Sequence, residues 1–141
     1  MSTTHILYST TATATGGRDG HATTDDGFEV ALGTAKGLGG DGRGHNPEQL
    51  FASGYAACFL GALKFAAAKG GQVRVPPDAS VAATVGIGPR PDKGFALEVA
   101  LTVDLPGVDR AAAEALVAEA DTICPYSHAI RGNVAVMLAV A

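Results

Sequence analysis

The feature that most constrains this chain is the run from Leu50 to Ala68, 19 residues interrupted only by Ser53, Gly54, Gly61 and Lys64. Asn46-Pro47-Glu48-Gln49 opens it with helix-start chemistry: an Asn that can cap, a Pro suited to the first helical position, and a Gln completing a capping-box-like pattern. Gly70-Gly71 closes it. The spacing predicts one helix to about Lys69, apolar on almost every face through Leu50, Phe51, Tyr55, Cys58, Phe59, Leu60, Leu63 and Phe65. Such a helix belongs at the centre of a fold. Its length is close to that of a bilayer span, but its content is largely Ala with a Lys inside, so no membrane partner is expected.

Around that helix the pattern is of strands. His5 to Thr15 is rich in β-branched residues and ends at the turn Gly16-Gly17-Arg18-Asp19-Gly20, while Phe28 to Leu32 alternates apolar side chains at every second position. These predict a small antiparallel meander. Val81 to Ile87 and the longer alternation Phe95 to Leu105 predict two more strands about Gly88-Pro89-Arg90-Pro91. Asp109 can cap a second helix reaching about Ile123, Pro125 forces a turn or kink after Cys124, and Val134 to Val140 closes as a strand. Strands segregated from helices make the fold class α+β, one domain over residues 1–141. Counting 27 Ala and 19 Gly, the apolar fraction is mostly small, so a partner surface is expected to supply bulk that the chain lacks.

Several function classes drop out. Ten Lys plus Arg against 14 Asp plus Glu leave a net charge of −4 with no basic run, so no nucleic-acid partner is expected. Gly37-Leu38-Gly39-Gly40-Asp41-Gly42 matches G-x-G-x-x-G, but in a 33–46 loop holding six glycines the match is easily met by chance. The helix starts too late to cradle a pyrophosphate. A flexible or closely packed loop is the expectation there. The four histidines show no H-x-x-H or H-E-x-x-H spacing and no G-x-S-x-G elbow accompanies them, so metalloprotease and serine-hydrolase readings lack support. The N-terminus lacks a basic start and an apolar core, which predicts a cytoplasmic protein.

Two cysteines remain. Cys58 sits inside the apolar helix, where burial alone raises a thiol's pKa and makes it inert, and the helix nearby offers only Lys64 as a cation. Cys124 stands at an irregular point before Pro125, and could meet Cys58 only through tertiary packing. Taken singly, Cys58 reads as a small buried hydrophobe, Arg18 as a solvated turn residue and Glu48 as a helix-dipole carboxylate.

Taken together, Gly16-Gly17-Arg18-Asp19-Gly20, Asn46-Pro47-Glu48-Gln49-Leu50-Phe51-Ala52, Gly54-Tyr55-Ala56-Ala57-Cys58-Phe59, Val85-Gly86-Ile87-Gly88-Pro89, Cys124-Pro125-Tyr126-Ser127 and Arg131-Gly132-Asn133 resemble the organic hydroperoxide resistance (Ohr) proteins of the OsmC-like superfamily, in order and along the whole chain. The resemblance implies an Ohr/OsmC-like fold of antiparallel sheets around a central helix, in an intertwined homodimer. It implies a thiol peroxidase for organic hydroperoxides that works with no bound cofactor, neither metal nor flavin, with Cys58 peroxidatic, Cys124 resolving, and Arg18 and Glu48 the charged pair beside the reactive sulfur. An external dithiol, a dihydrolipoyl group on a lipoylated protein, is the implied reductant. The alternatives are an OsmC-type peroxidase of broader range, or a non-catalytic thiol sensor or hydrophobic-ligand binder. Ten residues separate Glu48 from Cys58, roughly 15 Å along a continuous helix, so the two do not touch within it. Phe51, Tyr55, Phe95 and Tyr126 are candidates for an apolar collar that favours alkyl over hydrogen peroxide.

Overall fold

A computed structural model of the chain describes residues 4–141. They fall into two compact units, one ending at Pro47 and the other running from Glu48 to Ala141.

In the first unit, β1 (Ala12–Thr15), β2 (His21–Thr24) and β3 (Glu29–Ala31) form the expected antiparallel meander, in the order β1-β2-β3. The first strand is shorter than its composition predicts. Ile6, Leu7 and Tyr8 lie outside it and are exposed, because β propensity becomes a strand only where a neighbour takes up the ladder hydrogen bonds, and β2 is four residues long. The turn between β1 and β2 is a single 3-10 turn, Gly17–Asp19, entered through Gly16 and Gly17 at φ of 75° and 62°. The Asp19 carboxylate accepts from the Thr34 backbone N–H at 2.9 Å and hydroxyl at 2.8 Å, and these bonds lower its pKa and tie the turn to the glycine-rich loop. That loop is closely packed: a Cβ on Gly33 would stand 1.4 Å from the Arg43 carbonyl oxygen, and one on Gly40 2.0 Å from that of Thr34. Its glycines serve close backbone approach.

The second unit is built on α1 (Pro47–Gly70), which starts and stops where Pro47 and Gly70-Gly71 predict. β4 (Ser80–Pro89) and β5 (Phe95–Asp104) pair as a long antiparallel hairpin, and α2 (Arg110–Ile123) and α3 (Pro125–Ile130) lead to β6 (Val136–Val140). The Asp109 side chain caps α2 by accepting from the Ala112 N–H at 3.2 Å. Here the expectation of antiparallel sheets needs a correction: β6 pairs with β5 in parallel, Val99 opposite Val136 and Val103 opposite Val140. The two helices between them return the chain to its starting end, which is the connection a parallel pair requires.

α1 is apolar nearly all round, yet only one stripe of it is buried: Tyr55, Phe59, Ala62, Leu63, Ala66 and Ala67, at helical spacing. This stripe packs on Val99, Leu101 and Val103 of β5 and on Ala113, Leu116, Val117 and Ala120 of α2. Each large side chain so buried contributes about 1.5–3 kcal/mol. By length and composition alone α1 could cross a bilayer, but a third of its most apolar window is buried inside the protein.

Candidate active site

The site is assembled by two helical segments. Pro125 forces the residue before it out of the helical region, and Cys124 accordingly sits at φ −63°, ψ 120°, ending α2 and opening α3. Its N–H donates to the Ala120 carbonyl at 2.8 Å and its carbonyl accepts from the His128 N–H at 3.0 Å, so one residue closes one helix and starts the next. The corner is braced by Arg131, whose Nη2 donates to the Asp121 carbonyl at 2.8 Å and to its carboxylate at 3.0 Å. The Cys124 side chain is fully buried.

Facing it, Cys58 is half-buried on α1, one turn beyond Tyr55. The two sulfurs are 3.7 Å apart and both are free thiols. A disulfide needs about 2.05 Å, so a closure of roughly 1.7 Å separates the pair from a covalent bond. Burial pushes the Cys58 thiol up, and Cys124 beside it adds to this, first through the hydrogen bond between the two sulfurs and then through like-charge repulsion. A hydrogen bond from the Tyr126 backbone N–H pulls the other way. The Cys124 thiol is placed to donate to the Cys58 sulfur.

Beneath the thiols, the Tyr55 hydroxyl and the Ser127 hydroxyl are 2.6 Å apart, and both residues are buried. The rings of Phe51, Tyr55 and Tyr126 meet at centroid separations of 5.8 to 6.2 Å. Tyr126 reaches across α1 at Gly54, where a Cβ would stand 3.1 Å from its hydroxyl. Three of the four collar candidates thus cluster beside the thiols. Tyr55 is wholly buried and offers no face to a substrate, whereas Tyr126 is 40% exposed. Phe95, at the start of β5 and exposed, lies outside the ring contacts among the described residues.

Of the remaining site residues, Arg18 is half-buried in the Gly17–Asp19 turn of the first unit, and Glu48 is half-buried in the first turn of α1. Glu48 and Cys58 lie on one continuous helix, so the axial separation of roughly 15 Å holds. Sequence reasoning did not single out Ser127 as a site residue. Its one signal was its place one helical turn after Cys124 in Cys-Pro-Tyr-Ser.

The family model described as "OsmC-like protein" matches residues 40–139. The organic hydroperoxide resistance protein of Xanthomonas axonopodis pv. citri (strain 306) is 48% identical over 138 residues, 96% of each chain. The crystal structure of an organic hydroperoxide resistance protein OsmC from Legionella pneumophila superposes with a TM-score of 0.92 at 47% identity, covering 97% of this chain and 99% of that one. OhrB of Bacillus subtilis does so with a TM-score of 0.86 at 41% identity, covering 96% and 100%. With a thiol pair at its core and this likeness along almost its full length, the chain belongs to the OsmC-like family, in its organic hydroperoxide resistance branch.

Proposed function

We propose that this protein is a cysteine-based peroxidase that reduces organic hydroperoxides to alcohols. The observation that carries the reading is the pair of free thiols 3.7 Å apart, one half-buried and one fully buried. Cys58 thiolate attacks the terminal peroxide oxygen, the O–O bond breaks, and the alkoxide leaves and takes a proton as the alcohol. Cys58 becomes a sulfenic acid. Cys124 then displaces water from that sulfur and forms the Cys58–Cys124 disulfide. An external dithiol, a dihydrolipoyl group on a lipoylated protein, reduces it and restores both thiols.

A thiol whose immediate surroundings raise its pKa needs a cation to become a nucleophile, and the α1 cation nearest Cys58 in sequence is the exposed Lys64, nearly two turns on. Arg18 is assigned that role, lowering the thiolate's pKa and stabilising charge on the departing oxygen, with Glu48 holding the guanidinium by a bidentate contact. The partly exposed ring of Tyr126, the residue whose backbone N–H bonds Cys58, favours an alkyl or fatty-acyl hydroperoxide over hydrogen peroxide, which brings no apolar surface to bury. The protein acts as a homodimer, a reading supported by large apolar side chains left exposed, Phe65 on α1 and Met137 on β6 among them.

The test is steady-state consumption of an alkyl hydroperoxide and of hydrogen peroxide with dihydrolipoamide as reductant. Fast turnover of the alkyl substrate, slow turnover of hydrogen peroxide and loss of both in Cys58→Ser are expected. Comparable rates would instead indicate an OsmC-type enzyme of broader range, and no turnover would leave a sensor or binding protein.

A further inference from the structure

The thiol pair is one of two contacts stacked between the same helical turns. Tyr55 precedes Cys58 by three residues on α1, and Ser127 follows Cys124 by three at the start of α3, so each pair shares a face of its own segment. Tyr55 meets Ser127 and Cys58 meets Cys124, with the two segments running in opposite directions. The hydroxyl contact is 2.6 Å long between residues 0% and 3% exposed, while the thiol contact is 3.7 Å. Apolar packing tolerates small sliding of one helix on another, but a buried hydroxyl pair does not, because separating it leaves two polar groups unsatisfied. Since Arg131 ties Asp121 near the end of α2 to the end of α3, the corner bearing Cys124 is held as a unit, and the Tyr55–Ser127 bond links that unit to α1.

We propose that the Tyr55–Ser127 hydrogen bond is a positioning device for the resolving step, holding Cys124 in register with Cys58 so that the disulfide closes before a second hydroperoxide reaches the sulfenic acid. The inference rests on the peroxidase reading. In the resolving step the Cys124 sulfur attacks the Cys58 sulfur, the S–O bond breaks, and hydroxide leaves with the Cys124 proton as water. In the competing step the sulfenate attacks a second hydroperoxide, releasing a second alcohol and leaving a sulfinic acid. Only the first depends on the register of the two segments. Burial raises the Tyr55 pKa, so its phenol keeps its proton, and the bond persists, across the pH range in which the thiols react.

The test is rapid-quench intact-mass spectrometry of the reduced full chain mixed with an alkyl hydroperoxide, for wild type, Tyr55→Phe, Ser127→Ala, the double variant and Ser127→Thr. The expected result is an unchanged rate of Cys58 oxidation, disulfide formation slowed about tenfold in each single variant, and sulfinic acid rising with hydroperoxide concentration. The double variant should be no slower than the worse single one, since both act on one bond, and Ser127→Thr, which keeps the hydroxyl, should restore closure. If wild type closes its disulfide and the single variants match it, the inference falls while the peroxidase reading stands. Equal slowing of both steps, or no rescue by threonine, would overturn it as well, by making the pair a general structural support. A wild type that forms no disulfide overturns both. Should Tyr55→Phe fail to fold, the serine variants decide the question.

Discussion

If Cys58 and Cys124 form a disulfide during turnover, the oxidised protein must be more stable than the reduced one by an amount set largely by chain entropy. The two residues are 66 positions apart, and cross-linking a loop of that length removes enough freedom from the unfolded chain to stabilise the fold by about 4 kcal/mol. Against this stands the cost of drawing the sulfurs together by roughly 1.7 Å. The net gain should be about 2–4 kcal/mol, which at a urea slope near 2 kcal/mol per M raises the unfolding midpoint by about 1–2 M. The assay is urea unfolding followed by circular dichroism, on protein kept reduced and on protein treated with one equivalent of alkyl hydroperoxide, with Cys124→Ser as the control that should show no difference. An oxidised midpoint equal to or below the reduced one, with the disulfide confirmed by mass, would refute the reasoning. It would mean that the fold resists the closure by as much as the cross-link gains.

Leu63→Ala should destabilise by about 3 kcal/mol, because the side chain is fully buried between β5 and α2, and should lower the midpoint of thermal unfolding by roughly 6–12 °C. Calorimetry of the reduced protein checks it, and a loss under 1 kcal/mol would mean the other face of α1 carries the core. For Arg18→Ala, loss of the proposed cation leaves burial and the second thiol opposed only by the Tyr126 N–H, so the inflection in the rate of Cys58 oxidation is expected to move to higher pH. The rate at pH 7 should fall by about a hundredfold, read by stopped-flow mixing across a pH series. An unchanged profile would remove Arg18 from the mechanism.

The helix ends and the longest strands were legible because their signals are local. Asn46-Pro47 and Gly70-Gly71 act on their own backbone, and the β5 alternation needs only a half-buried surface to be read. The assignment of Cys58, Cys124, Arg18 and Glu48 to a site rests on several motifs occurring in order, since each residue alone has a bland reading. Ser127 was not legible, because a serine reports nothing about the tyrosine 72 positions away that completes its hydrogen bond.

What sequence by itself determined, then, is where elements begin, where they break and which residue types are available: a central apolar helix, a hairpin beside it, and a proline that ends a helix at Cys124. Tertiary structure decided which stripe of an almost uniformly apolar helix is buried, since hydrophobicity without a moment carries no direction until β5 and α2 supply one. It decided that β6 runs parallel to β5, a matter of how α2 and α3 return the chain. It also decided the distance between two thiols 66 positions apart, because a contact across that length is set by the packing of both segments and written in neither.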